Sequence, residues 1–245
     1  MILIIGLFFL TFSMSESSTL TSSRFKVCAR NLENLSDCVN EAAAIAIKEL
    51  AKGYKDLDIQ ALEPLAVDKF SIGSTKYLKQ QYENVKLHGL TKSLKITDYK
   101  LDFENLIFKS TAFNPQVDFV GNYKLDGKLL ILPIRGNGRC NITMKNLITK
   151  SEFHGEKFIK DGKEYMKIKK YIINFIPKKV FMDFTNLFDG NLLLAAPASY
   201  FINENADLLF QELQEPFEKS FAKLFMKIAN SAFTKIPLNV IFPET

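Results

Sequence analysis

The sequence predicts a single elongated domain of the α+β class, in which a long helix packs against a curved antiparallel sheet. Three observations lead to this prediction. Apolar and polar residues alternate, as in strands, from about residue 85 to residue 188. A helical pattern rich in Phe follows, from Asn203 to Phe233. No repeat, low-complexity tract or Pro/Gly-rich linker divides the 245 residues, so one domain accounts for the chain.

The first residues predict a secretory signal peptide. Residues 2–12 form an almost uninterrupted apolar stretch, which is too short for a bilayer, since spanning one takes about 20 residues. Its length is that of a signal-peptide core. We expect residues 1–15 to be removed, with cleavage after residue 17 as the second option, and residues 16–245 to form the secreted, extracellular domain. No Lys or Arg precedes the apolar stretch; a buried N-terminal strand or helix is the alternative interpretation.

A secreted chain changes the interpretation of its three cysteines. In an oxidising compartment Cys28 and Cys38, ten residues apart, can form a disulfide. Cys140 alternates in phase with Ile142 and Met144, which predicts an inward-facing, inert core thiol. Three cysteines and two histidines offer no zinc-ligand spacing, so no metal and no cofactor are expected.

Two sequons predict N-glycosylation of a secreted chain. Asn34 lies between the first two cysteines. Asn141 lies on the outward face of the strand that contains Cys140. Both side chains are therefore expected to be accessible to the modifying enzyme.

Turn signals divide the strand region. Asp126-Gly127 and Asp161-Gly162 each predict a two-residue hairpin turn. The apolar phase changes between Ile96 and Tyr99, which predicts a β-bulge. A last alternating segment runs from Val180 to Phe184. Sequential strands with short turns indicate an antiparallel sheet, whose apolar face must be covered.

Helices supply that cover. An apolar stripe from Val39 to Leu50 predicts a first helix. The pattern from Asn203 to Phe233 would form a helix about 45 Å long, which Pro216 should kink or divide in two.

Composition and motifs exclude several classes of function. The net charge of +5, from 32 basic and 27 acidic residues, is too small to indicate a nucleic-acid partner. No catalytic or phosphate-binding motif occurs, and neither His88 nor His154 lies near a nucleophile motif. We therefore expect a protein that is not an enzyme. The lysines of the strand region are typical of solvated faces, with a membrane-surface or acidic-partner patch as the alternative.

Apolar surface remains as the candidate functional feature. The chain contains 22 Phe and no Trp. If the sheet curves too widely for the helix to fill it, an apolar cavity is left, which is the usual form of a small-ligand site. Tyr123 could then bind a ligand carbonyl or carboxylate. For each candidate, ordinary core packing is the alternative. The candidates are inward strand positions and the helix positions that face them: Phe119, Tyr123, Ile142, Met144, Met182, Phe184, Phe210, Phe217 and Phe221.

Motifs in the order of a known family extend over most of the chain. They are Phe25–Cys28, Cys38, Gly53, Leu62–Leu65, Gly136–Ile142, Asn186–Gly190, Phe201–Asn205, Pro216 and Phe233–Pro237. On these residues the chain resembles the takeout / haemolymph juvenile hormone binding protein family of insects. One departure is Ala206-Asp207, where relatives commonly carry Trp, and it could reshape one end of a cavity.

The resemblance implies a long helix wrapped by a highly curved antiparallel sheet, related to tubular lipid-binding domains and enclosing a hydrophobic tunnel. It also implies a disulfide between Cys28 and Cys38. Cys140 lacks a partner, as in takeout-type members, which favours a takeout-like protein over a dedicated hormone carrier. Such proteins are linked to circadian, feeding and chemosensory physiology.

Two hypotheses of function follow from the resemblance. The first is a secreted monomeric carrier, in haemolymph or another extracellular fluid, whose ligand is a juvenile-hormone-like terpenoid or a fatty-acyl lipid. It would have no nucleic-acid partner and no stable membrane insertion. The second is a secreted signalling or interaction protein with an unidentified receptor, in which lipid fills the cavity permanently. An esterase acting on a bound apolar ester is a third, weaker alternative.

Overall fold

Two long strands form the centre of the fold, which is described here from a computed structural model for residues 25–70, 72 and 77–244. The predicted signal peptide lies outside these residues. The seven strands, numbered in chain order, are β1 (Leu65–Phe70), β2 (Leu78–His88), β3 (Lys95–Asp102), β4 (Ile107–Leu129), β5 (Leu132–Lys160), β6 (Lys163–Ile176) and β7 (Lys179–Phe184). The helices are α1 (Leu35–Glu49), α2 (Leu192–Glu204), α3 (Ala206–Phe233) and α4 (Leu238–Ile241).

All strands join one antiparallel sheet in the order β1-β2-β4-β5-β6, which confirms the predicted α+β class. The length of β4 and β5 explains how two further strands are accommodated. β3 pairs with the first part of β4, and β7 pairs with residues 140–145 of β5, before β6 takes over the same edge from residue 148. The predicted alternation of β7 is confirmed, since Val180, Met182 and Phe184 are buried between exposed neighbours.

One of the two predicted hairpin turns is confirmed and the other is wrong. Asp161 and Gly162 connect β5 to β6, with Lys160 opposite Lys163. Asp126 and Gly127 instead lie inside β4, which continues to Leu129 and turns at residues 130–131. Gly127 has a φ of +138°, and a Cβ on it would lie 2.1 Å from the carbonyl oxygen of Tyr77. A glycine is needed there for the approach of a neighbouring chain segment, which produces the same sequence signal as a turn.

The predicted bulge is confirmed. The pairing of β3 with β4 shifts register between Thr97 and Lys100, and Asp98 between them has a φ of +55°. The predicted faces of β5 are confirmed as well, because Cys140 is buried and Asn141 is exposed.

Of the two outcomes predicted at Pro216, division of the last helix is wrong, because α3 continues across it, and a kink stays a prediction. Proline removes the hydrogen bond to the carbonyl of Glu212, and Glu212 is exposed, so water can bind that carbonyl. The helical segment is broken at Asn205 instead, where α2 ends. The sequence pattern did not predict α2, which lies between the last strand and α3.

Three polar side chains fasten α3 to backbone groups of the sheet. Each accepts a hydrogen bond of 2.7 Å from a strand N–H: Asp207 from Val180, Glu218 from Phe175 and Asn230 from Ile168. The strands concerned are β7 and β6, and no strand of the described residues pairs with them on that side. The long helix therefore covers an edge of the sheet as well as its apolar face.

Two clusters of buried apolar side chains form the core. The larger lies between the sheet and most of α3, and it includes Phe119, Phe217 and Phe221. The smaller includes Cys28 and Phe108 and packs beside α1 and the C-terminal segment. In the described residues, no helix combines the length and the apolar character needed to cross a membrane.

Candidate ligand-binding cavity

A cavity of about 450 Å³ lies between the two core clusters, since residues of both contribute to its wall. Its wall is mainly apolar and is built from the N-terminal segment, α1, strands β2 to β6, the second half of α3 and the C-terminal segment. The wall residues with the largest apolar side chains include Ile47, Leu50, Leu57, Ile59, Leu87, Leu90, Leu147, Ile173, Phe175, Phe221, Phe225, Ile228, Phe233 and Phe242.

Small side chains explain why this space is open. The face of α1 toward the cavity carries Ala42, Ala43 and Ala46, and α3 contributes Ala229 and Ala232. An alanine extends only one carbon from the backbone, so these helices approach the strands without filling the space between them. The apolar stripe that predicts α1 is thus the wall of the cavity as well as a helix signal.

Polar bonds and a disulfide hold α1 in place. The predicted bridge between Cys28 and Cys38 is confirmed, and it ties the N-terminal segment to the first turns of α1. The Ser36 hydroxyl donates to the carbonyl of Tyr99 at 2.6 Å, and the Tyr99 N–H donates to Asn40 Oδ1 at 3.2 Å. These bonds join α1 to β3. They add to the apolar packing of α1, in which Val39 is the fully buried side chain.

A small group of hydroxyls supplies polar character inside the cavity. Tyr99, Ser151 and Tyr171 line it together, and the Ser151 side chain hydrogen-bonds Tyr171. Burial raises the pKa of Tyr171 above its ordinary value, and it raises that of Tyr99 too, with a smaller contribution from repulsion between the two phenolates. Both phenols therefore stay neutral at physiological pH and can donate or accept hydrogen bonds.

Charge is nearly absent from the described part of the wall. Lys26 is the charged residue there, and its side chain pairs with Glu41 at the exposed surface. Asn114 is buried, and its side-chain NH₂ donates to the carbonyls of Gly89 at 2.8 Å and Leu90 at 3.1 Å. That amide thus fixes the adjacent loop at the wall.

The described wall residues provide no catalytic pair. Ser151 lines the cavity, whereas His154 lies on the opposite face of β5 and contacts Glu152 at 2.7 Å. His88 is not part of the wall. No cluster of His, Cys, Asp and Glu suited to a metal occurs among the described residues.

The nine candidate residues divide into two groups. Met144 and Phe221 line the cavity. The other seven lie in the larger core cluster, outside the wall: Phe119, Tyr123, Ile142, Met182, Phe184, Phe210 and Phe217. That any of the nine contacts a ligand stays a prediction.

The buried hydroxyl of Tyr123 already has a hydrogen-bond partner within the protein. Its hydroxyl donates to the carbonyl of Thr185 at 2.7 Å. Burial, with the nearby Cys140 thiol and Asp189, raises the pKa of Tyr123 to about 12. Burial also raises the pKa of the Cys140 thiol to about 12, as expected for an unreactive core cysteine.

Sequence reasoning missed the contribution of α1 and of both chain ends to the wall. Only the alanine-rich stripe of α1 could have signalled it. The Ala206-Asp207 departure lies outside the wall, where Asp207 pairs with Lys179 at 2.7 Å. Asn34 and Asn141 are both exposed, and their glycosylation stays a prediction.

Comparisons with known proteins agree with this architecture. Residues 4–243 match the family model of haemolymph juvenile hormone binding protein. The circadian clock-controlled protein daywake of Drosophila melanogaster is 27% identical over 217 residues, 84% of each chain. Its counterpart in Drosophila yakuba is 28% identical over 215 residues, 84% of this chain and 83% of that protein. The crystal structure of Takeout 1 of Epiphyas postvittana superposes with a TM-score of 0.79 at 26% identity, covering 89% of this chain and 99% of that one.

Proposed function

Because the chain belongs to the haemolymph juvenile hormone binding protein family, we propose that it is a secreted carrier that holds a small hydrophobic ligand between α1 and α3. The observation that supports this most directly is the cavity of about 450 Å³ with a mainly apolar wall. Volumes of this size are typical of small-molecule sites. Desolvation would supply the affinity, at about 25 cal/mol per Å² of apolar area removed from water.

The polar groups of the wall favour an amphiphilic ligand with a neutral head. Tyr99, Ser151 and Tyr171 can hydrogen-bond an ester, alcohol or carbonyl oxygen. A carboxylate there would lose its hydration without gaining a buried cation, which is costly. We therefore propose a juvenile-hormone-like terpenoid or a fatty-acyl ester as the ligand class, rather than a free fatty acid.

An extracellular location is part of the proposal. The apolar N-terminal stretch and the disulfide between Cys28 and Cys38 both support it. The daywake relatives are named as circadian clock-controlled proteins. A role in rhythmic, feeding or chemosensory physiology is proposed on that similarity.

The carrier proposal is tested by identifying lipid that co-purifies with the natively folded protein. We expect solvent extraction and mass spectrometry to release a hydrophobic compound, and the emptied protein to take up a fluorescent hydrophobic probe. Clean extracts together with no uptake would contradict the proposal. Lipid that never exchanges with added ligand would favour the signalling protein with a permanently filled cavity.

A pair of variants on α1 links uptake to the cavity. Ala46 lines the wall, so Ala46→Phe would occupy the cavity and weaken probe binding by tenfold or more. Ala44 belongs to the same helix but not to the wall, so Ala44→Phe is the matched control and should bind as the unmodified chain does. Equal binding by both variants would place the probe elsewhere.

A further inference from the structure

The cavity stops abruptly partway along the sheet and α3. On α3, Phe221 lines it, whereas Phe217, one helical turn earlier, does not. On β4, Val117 lines it and Phe119, two residues further along the strand, does not. The cavity therefore ends at Phe221 on α3 and at Val117 on β4.

Phenylalanine rings close this end. The rings of Phe221 and Phe217 lie 6.3 Å apart, and Phe217 lies 5.6 Å from Phe119. Phe70 contacts Phe221 at 4.7 Å and Phe119 at 5.8 Å. We call these four residues the aromatic floor. All four are buried, so the space below Phe221 is filled by side chains.

The polar groups lie at a distance from the aromatic floor. On β6, Tyr171 and Phe175 both line the cavity, and the Phe175 ring lies 5.4 Å from the Phe221 ring of the floor. The four residue steps from Tyr171 to Phe175 span about 13 Å. An extended chain advances about 1.2 Å per bond. A ligand whose head contacts Tyr171 would then reach the floor with about 11 chain atoms.

We propose that Phe221 sets the maximum chain length of the ligand, an inference that rests on the proposed carrier function. The Phe221 ring forms the top of the aromatic floor, so a longer chain must either displace it or leave its head outside the polar group. Removal of the ring would extend the cavity to Phe217, about 6 Å further along α3. That distance accommodates about four or five additional carbon atoms.

Displacement of the fluorescent probe N-phenyl-1-naphthylamine by primary alcohols of about 6 to 20 carbon atoms tests this proposal. For the unmodified chain we expect affinity to rise about fourfold per methylene up to about 11 carbons, and then to stop rising. Phe221→Ala should move that limit upward by about four or five carbons. Phe221→Leu, which leaves more of the core intact, should move it less, in the same direction.

Phe210→Ala is the control, because Phe210 is a buried Phe of the same helix outside the wall. Its length limit should match that of the unmodified chain. Because all variants are measured with the same alcohols, the falling solubility of long alcohols affects them equally. A limit that stays the same in Phe221→Ala and Phe221→Leu would overturn the length proposal and leave the carrier function intact. Failure of the unmodified chain to bind the probe or any alcohol would instead overturn both.

Discussion

Asn230 of α3 and Ile168 of β6 exchange two hydrogen bonds. The Ile168 N–H donates to Asn230 Oδ1 at 2.7 Å, and Asn230 Nδ2 donates to the Ile168 carbonyl at 3.0 Å. One side-chain amide therefore takes the place of a neighbouring strand. It does so beside the point where the pairing of β5 with β6 shifts register, between His154 and Gly155.

We predict that Asn230→Ala lowers the free energy of unfolding by about 2 kcal/mol, because it leaves a partly buried N–H and carbonyl of Ile168 without their partner. Urea denaturation measures the change. Ser231→Ala is the control, since Ser231 is partly exposed and its hydroxyl donates to the carbonyl of Lys227 in its own helix; it should stay within about 0.5 kcal/mol. An equal change in the two variants would argue against the role of Asn230.

Gly127→Ala should destabilise the protein much more than Gly162→Ala. Both glycines have a positive φ, but a Cβ on Gly127 would lie 2.1 Å from the Tyr77 carbonyl oxygen, while none of the described atoms lies within 4 Å of one on Gly162. We expect a loss of about 3 kcal/mol at Gly127 and about 1 kcal/mol at Gly162. Thermal and denaturant unfolding of the two variants would compare them, and a similar loss at both sites would contradict the close approach of β2.

Replacement of both Cys28 and Cys38 by Ser should lower the free energy of unfolding by about 3 kcal/mol. The disulfide closes a short loop with a sequence separation of 10, and the chain-entropy model assigns a loop of this length that value. Denaturant unfolding with and without a reductant measures it. The reductant should lower the midpoint of the unmodified chain and leave that of the double variant unchanged; a reductant effect of equal size in both would exclude the disulfide as its cause.

Stability should fall as the pH rises above about 9. Five buried or partly buried groups have raised pKa values: Tyr82, Tyr99, Tyr123, Cys140 and Tyr171. In the unfolded chain these groups lose their protons near pH 9 to 10, whereas the folded chain retains them, so the unfolded state binds fewer protons and is favoured as the pH rises. Below the unfolded pKa values both states are protonated and this effect is absent.

Denaturant midpoints at several pH values between about 8 and 11 would measure the loss, with tyrosinate absorbance as an independent readout. In the folded protein that absorbance should remain below the value for full ionisation until the chain unfolds. A constant midpoint across this range, or complete tyrosine ionisation before unfolding, would contradict the burial of these phenols.

Much of the fold could be predicted because its signals are local. The alternation of β7, the bulge near Asp98, the hairpin at Asp161-Gly162 and the outward face of Asn141 each depend on a few neighbouring residues. The hairpin at Asp126-Gly127 was wrong because Gly127 is required by a non-local contact with Tyr77. A close approach of the backbone and a tight turn both require glycine, so the sequence by itself does not distinguish them.

The sequence by itself determined the class of the fold, the cysteine pair that can bridge and the apolar character of the inner surfaces, since these follow from composition and periodicity. Only the tertiary structure decided where that apolar surface is filled and where it is open. Phe217 and Phe221 occupy successive turns of one helical face, yet Phe217 packs in the core and Phe221 lines the cavity. The Phe217 ring lies among those of Tyr82, Phe119 and Phe210, whereas Phe221 borders the space that the alanines of α1 leave open. A cavity forms where the side chains that face one another are too small to fill the space between their elements. Those side chains are distant in sequence, so a local pattern does not show which of them face one another.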